Sequence, residues 1–269
     1  MELLRALAAL SEQPAPEHER VWRSIGIAPP TATQYTDVFV FALPPYASIY
    51  LGADGMLGGE PRERIAGFWH ALGLTPPLEP DHLAALLGLV ATLGEDAAIQ
   101  ARHARHALLH EHLLSWLPAY LAKFNEIAPA PLHGWASLLS ESLAAQAHEL
   151  PEFALPAALR EMPEMPDPEH GATEFVSALL APARSGVLLL RHDLSRAAQR
   201  LGLGLRAGER RFALVALFEQ DSASTLRWLC EEADGWIERH RANVLFEPAV
   251  RDHWMARAQA TMQLLRQWA

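Results

Sequence analysis

Helical periodicity runs through most of this chain, and an all-α fold is the class it predicts. Three observations carry that expectation. Apolar residues recur three and four apart over long segments, as at Leu83, Leu86, Leu87, Val90 and Leu93. Alternation of period two is confined to TDVFVFAL (36–43) and SGVLLLRH (185–192), each short, isolated and followed by a helical pattern. Half of the 269 residues are apolar, yet no run approaches the 18 or more apolar residues of a membrane-spanning helix.

Taken in order, the pattern places helices near 2–10, 17–25, 34–50, 60–72, 80–94, 97–124 and 131–149. The first is apolar but carries Glu2 and Arg5 and stops before Pro14, so it reads as a helix and not as an export signal. Prolines at 151, 156, 163, 166 and 168 interrupt any long helix and mark residues 151–170 as a linker. Beyond it, helices are expected near 171–181, 192–202, 208–219, 222–241 and 247–268. The expected organisation is a helical domain over 1–150, the proline-rich linker, and a C-terminal helical region over 171–269 of unknown role.

Charge is uneven along the chain. Residues 1–150 hold 8 Lys and Arg against 16 Asp and Glu, whereas residues 151–269 hold 14 against 16. The acidic first half repels nucleic acid and suits a cationic partner. A single cysteine, Cys230, excludes an internal disulfide and points to the cytoplasm.

The stretch LEPDHLAALLGLV (78–90) places two carboxylates and an imidazole at the start of an apolar helix. Pro80 suits a first helical turn, and Glu79 and Asp81 suit its positive end. His82 does not fit capping by charge, so a neutral ring or one paired with Asp81 is expected. His103, His106, His110 and His112 cluster at helical spacings. Glu111 follows His110 directly, which breaks the HExxH order, and hydrogen-bonded histidines without a metal are the expectation. YLGADGMLGGEPR (50–62) has four glycines but neither a phosphate-loop nor a dinucleotide signature, and reads as a turn-rich connector. Residues 184–211 carry seven arginines in a helix–glycine–helix outline, but the second helix runs into FALVALF, too apolar for a DNA groove. No catalytic signature is present, so nothing nominates an enzyme.

Together, YASIYLGADGMLGGEPRERIAGFWHALGL, EPDHLAALLGLVATL and HEHLLSWLPAYL resemble the TorD/DmsD/NarJ family over about residues 35–150. That resemblance implies an all-helical, non-catalytic cytoplasmic chaperone. Such a chaperone binds the N-terminal, twin-arginine leader or the apo form of a molybdopterin oxidoreductase while its cofactor is inserted. Molybdopterin then belongs to the client, and a guanine nucleotide is a cofactor proposed for some members. The alternatives are a chaperone for a non-exported subunit and a DNA-binding regulator using 184–211. By the same resemblance Glu79, Pro80, Asp81 and His82 form the leader-binding surface. Tyr50, Trp69, His112 and Trp116 supply apolar surface beside it. No nucleic acid and no stable membrane insertion are expected, and the oligomer is a monomer or a domain-swapped dimer.

Overall fold

Apolar residues three and four apart, interrupted by prolines and glycines, divide the chain into sixteen α-helices and two π-helical segments among the described residues. The computed structural model describes residues 1–148, 153–167, 169 and 171–268. No strand occurs among them, only one antiparallel bridge between Tyr46 and His82. The first half contains α1 (Glu2–Ala9), α2 (Pro16–Ser24), α3 (Ala32–Tyr35) with the π-helical Thr36–Ala42, α4 (Ala47–Leu51) and α5 (Gly59–Ala71). It continues with α6 (Leu83–Glu95), α7 (Ile99–Ala107) with the π-helical Leu108–Leu113, α8 (Leu117–Ile127) and α9 (Ala130–Ala147). Then come α10 (Ala157–Arg160), α11 (Ala172–Leu179), α12 (Pro182–Ser185), α13 (Arg191–Leu201), α14 (Arg210–Gln220), α15 (Ser222–Ala242) and α16 (Pro248–Trp268).

Three boundaries differ from the expectation, each for a local reason. The helix expected over 34–50 stops at Ala42 and resumes at Ala47, because Pro44 and Pro45 donate no backbone hydrogen bond. The helix expected over 97–124 breaks at Leu114–Trp116, ahead of Pro118 in the first turn of α8. The helix expected from residue 80 begins only at Leu83. TDVFVFAL is helical as expected, in π form over Thr36–Ala42, whereas Val187–Leu190 is a buried irregular run, neither helix nor strand.

An aromatic ladder of Trp135, Phe39, Phe124, Tyr120, Trp116 and Tyr50 fills the first half, with ring centroids 5.0–5.8 Å apart. Helix α1 packs on α6, and the Trp135 indole donates to the Leu7 carbonyl at 3.0 Å. In the second half α15 and α16 pair extensively around Trp236 and Trp254. The apolar core is continuous between the halves. Trp254 donates to the Ser115 carbonyl at 2.9 Å, and buried Lys123 of α8 bonds Asp193 of α13 at 2.8 Å. Where described, the stretch expected as a linker is packed. Leu159 is buried, the Ala157 N–H donates to Glu111 at 2.9 Å, and Arg257 donates to the carbonyls of Met162 and Pro163.

Two glycines make this packing possible. Gly55 and Gly186 both adopt positive φ, which only glycine holds without strain. A Cβ at Gly55 would lie 2.8 Å from the Leu180 carbonyl oxygen, and one at Gly186 would lie 2.3 Å from the Ala258 nitrogen. The glycine-rich connector of the first half therefore lies directly against the second.

Candidate functional site: an acidic, apolar groove

The Glu-Pro-Asp-His turn is built against the break at Pro44 and Pro45. The two segments run side by side: the Ala47 N–H donates to the Asp81 carbonyl at 3.0 Å and the Leu83 N–H to the Pro45 carbonyl at 2.8 Å. The buried Asp81 carboxylate accepts from the Ser48 hydroxyl at 2.6 Å and the Ser48 N–H at 3.3 Å. Ser48 in turn accepts from the Gly58 N–H at 3.0 Å. Asp81 thus satisfies the free amides at the start of α4, a five-residue helix with few bonds of its own.

His82 caps α6, its Nδ1 accepting from the Ala84 N–H at 3.1 Å. That bond needs an unprotonated Nδ1. Burial holds the ring below the ordinary histidine pKa, outweighing the charges of Glu79, Glu12 and Asp81, which raise it. A neutral His82 therefore sits at the helix N-terminus, one of the two states expected. The Tyr46 ring meets it edge-on at 4.7 Å, and the Tyr46 hydroxyl donates to Glu79 at 2.9 Å. Burial, aided by that bond to Glu79, pushes the Tyr46 phenol up to about 12.

Beside this turn lies a groove of about 1520 Å³ between α1, the π-helical Thr36–Ala42, the Pro44–Tyr46 turn, the end of α5 and α6. Its walls include Phe39, Val40, Leu57, Trp69, Leu74 and Leu78. Leu78 is 88% exposed, Leu57 61% and Val40 52%, so large apolar side chains here meet solvent. Three charged side chains line the groove: Glu12, Glu79 and Arg5. Arg5 is already held by Glu95 through both guanidinium nitrogens. The open charge of the groove is therefore negative.

Of the eight residues expected at the leader-binding surface, Glu79, His82 and Trp69 line the groove. Pro80, Asp81, Tyr50, His112 and Trp116, all buried, are not among its lining residues. The Asp81 carboxylate serves Ser48 at the start of α4 instead of the helix it precedes. Tyr50 stacks on Trp116 at 5.1 Å and donates to the Pro44 carbonyl at 2.9 Å. Trp116 donates to the His112 carbonyl at 2.8 Å. Burial, reinforced by the nearby Arg64 charge, pushes His112 down to about 4. These residues form the floor that shapes the Pro44–Tyr46 turn.

Sequence reasoning missed Tyr46, Glu12 and the exposed leucines. The signal for Leu57 and Leu78 was present, because both are large apolar residues inside glycine- or proline-rich connectors, where burial is hard to arrange. Glu12 carried no signal in its local pattern.

The remaining constellations resolve differently. His110 is buried with Nδ1 2.9 Å from Glu247 and Nε2 2.8 Å from the Ala154 carbonyl, while His103 is exposed. Among the described residues no group of three or more His, Cys, Asp or Glu is arranged to hold a metal. In the arginine-rich stretch, Arg196 bonds Glu126, Asp193 and Glu232, Arg200 bonds Glu231, and Arg191 and Arg210 donate to backbone carbonyls. Helix α14, the DNA-reading candidate, buries Ala213, Leu214 and Leu217. Cys230 is half-buried, and burial raises its thiol pKa, keeping it protonated. Among the described residues no helix is long and apolar enough to cross a membrane.

The molecule is thus an all-helical protein with an acidic, apolar groove built around a Glu-Pro-Asp-His turn. Residues 30–122, which include most of that groove, match the family model described as nitrate reductase delta subunit. Relatives named Chaperone protein TorD match as well. The one from Vibrio vulnificus is 39% identical over 94 residues, covering 30% of this chain and 44% of that protein. The one from Psychrobacter is 38% identical over 98 residues, covering 31% and 42%. The one from Shewanella amazonensis is 31% identical over 132 residues, covering 37% and 55%. No solved structure matches. Over residues 30–122 the chain is thus similar to the TorD/NarJ family, the resemblance that its motifs carry. It spans about half or less of the length of these relatives.

Proposed function

We propose that this protein is a cytoplasmic chaperone for a molybdopterin oxidoreductase and that the groove receives the N-terminal leader of that enzyme before export. A twin-arginine leader has a cationic stretch followed by an apolar one, so its receptor needs carboxylates beside exposed apolar surface. The observation that carries the reading is the groove itself, where Glu79 and Glu12 stand among exposed Val40, Leu57, Leu74 and Leu78. Binding there holds the client's N-terminus while its cofactor is inserted, and no chemistry is required of the chaperone.

Calorimetric titration of a synthetic leader peptide into the full chain tests this. Wild type binds, and Glu79→Gln binds about tenfold more weakly, as expected for loss of one charge-assisted hydrogen bond. Its thermal unfolding stays unchanged, because Glu79 is exposed and, among the described residues, its side chain bonds just the Tyr46 hydroxyl. Equal affinity in the two proteins would remove the groove from the argument.

A further inference from the structure

The strap of residues 153–164 is fastened by side chains from both halves of the chain. From the first half, Glu111 accepts from the Ala157 N–H at 2.9 Å, and Arg64 of α5 pairs with Glu161 at 2.7 Å. From the second half, Arg257 of α16 donates to the carbonyls of Met162 and Pro163, and Arg184 of α12 donates to that of Glu164. The opposite end of the strap, at Phe153 and Ala154, rests on a single titratable side chain, His110.

His110 is buried in the π-helical Leu108–Leu113, and its ring stacks on Phe153 at 4.6 Å. Its Nδ1 lies 2.9 Å from the Glu247 carboxylate, just ahead of α16, and its Nε2 lies 2.8 Å from the Ala154 carbonyl. A carboxylate and a carbonyl both accept hydrogen bonds and neither donates one. Both contacts are hydrogen bonds only when both ring nitrogens carry a proton, so the geometry calls for an imidazolium. The charged groups acting on the ring are Glu247 from α16's side and Glu111 from its own π-helical turn. Burial alone would lower the pKa, but the bond to Glu247 and that residue's charge, with the Ala154 carbonyl and Glu111, raise it overall.

We infer that His110 is a proton-operated clasp: the imidazolium ties Ala154 and Glu247 together, and loss of one proton frees the Phe153–Ala157 end of the strap while the Met162–Glu164 end stays fastened. This is independent of the leader-binding reading. The neutral ring keeps one N–H, and that proton stays on Nδ1, where the carboxylate is the stronger acceptor. Nε2 then turns a lone pair on the Ala154 carbonyl at 2.8 Å, and two acceptors at that distance repel. Ala154 moves off its seat, and the Ala157 bond to Glu111, three residues on, opens with it. Arg257 and Arg184 keep their charge throughout this range, so the far end does not follow.

The test is amide hydrogen exchange of the full chain followed by NMR from about pH 5.5 to about pH 8.5, corrected for the intrinsic dependence of exchange on pH. The Ala157 N–H is the probe, buried Val90 of α6 is the reference, and the His110 ring is titrated in the same samples. In wild type, Ala157 protection is expected to fall about tenfold as pH rises through the ring's midpoint, the scale of one charge-assisted hydrogen bond, with Val90 unchanged. Glu247→Gln removes the carboxylate that holds the proton, so the ring midpoint and the Ala157 step move to lower pH together. His110→Gln shows no step. Flat Ala157 protection in wild type overturns the inference, as does a step that stays in place in Glu247→Gln or survives in His110→Gln. A parallel loss at Val90 also overturns it, because the change is then global unfolding. If His110→Gln does not fold, wild type against Glu247→Gln decides alone.

Discussion

Residues 1–150 carry twice as many acidic as basic side chains, and the groove presents Glu12 and Glu79 to solvent without an ion-pair partner among the described residues. Residues 151–269 are nearly balanced, and Arg196 alone reaches Glu126, Asp193 and Glu232. The apolar surface follows the same division. Val40, Leu57, Leu74 and Leu78 stand open around the groove, while Val187–Leu190 is threaded through the core of the second half. A surface left unsatisfied in the folded chain is available to a partner, whereas one satisfied internally stiffens the chain. On the proposed reading, this contrast is what lets a helical protein select a partner.

The largest effect that would sharpen this contrast comes from the contact between the halves. Lys123 and Asp193 are both fully buried, so Asp193→Ala leaves an ammonium inside the core with Glu126 as its remaining carboxylate partner. A loss of about 3–5 kcal/mol in unfolding free energy is expected by urea denaturation. A loss below about 1 kcal/mol would mean that the halves are not held together by this pair.

Next comes acid. Burial pushes His112 and His240 down to about 4 from an unfolded value of 6.5. Their stabilising contribution is therefore present above pH 6.5 and lost as pH falls towards and through 4, roughly 3 kcal/mol for each ring. His110 runs the other way. Burial alone would lower its pKa, but the bond to Glu247 and that residue's charge, with the Ala154 carbonyl, raise it overall. Its contribution is complete below 6.5 and lost as pH rises through the folded value. Unfolding curves measured across pH should show both limbs, and His110→Gln should abolish the alkaline one.

A smaller effect separates the turn from the groove. Asp81→Ala deprives Ser48 of its acceptor and should cost about 1–3 kcal/mol of stability. Peptide affinity of the fraction that remains folded should hold within about threefold, less than one charge-assisted hydrogen bond. A tenfold affinity loss in a fully folded Asp81→Asn protein would return this carboxylate to the binding surface.

The smallest effect tests the join at the connector. Gly55→Ala should destabilise by roughly 1 kcal/mol or more, since φ is +64° and the added Cβ meets Leu180. Unchanged melting would show that Leu180 and Ala181 give way.

Helix class was legible because buried faces repeat at helical spacing, as α6 does from Leu83 to Val90. The Glu-Pro-Asp-His turn was legible as a special site, but its division of labour was not. Local pattern shows that a carboxylate precedes a helix. It does not show that Asp81 turns to Ser48, thirty-three residues earlier, while Glu79 stays out. The burial of Trp116 and Tyr50 was not legible for a related reason: an aromatic residue in a helix has the same local pattern whether it meets solvent or another ring.

The tie between Asp81 and Ser48 also bears on how such a protein changes clients. The carboxylate that marks the motif is buried, and the exposed residues lining the groove lie elsewhere. On this reading, substitutions at Glu12, Val40, Leu57, Leu74 and Leu78 can retarget the groove while the turn beneath it stays intact. Kinship and clientele are then written in different residues, and a grafted specificity needs only the rim.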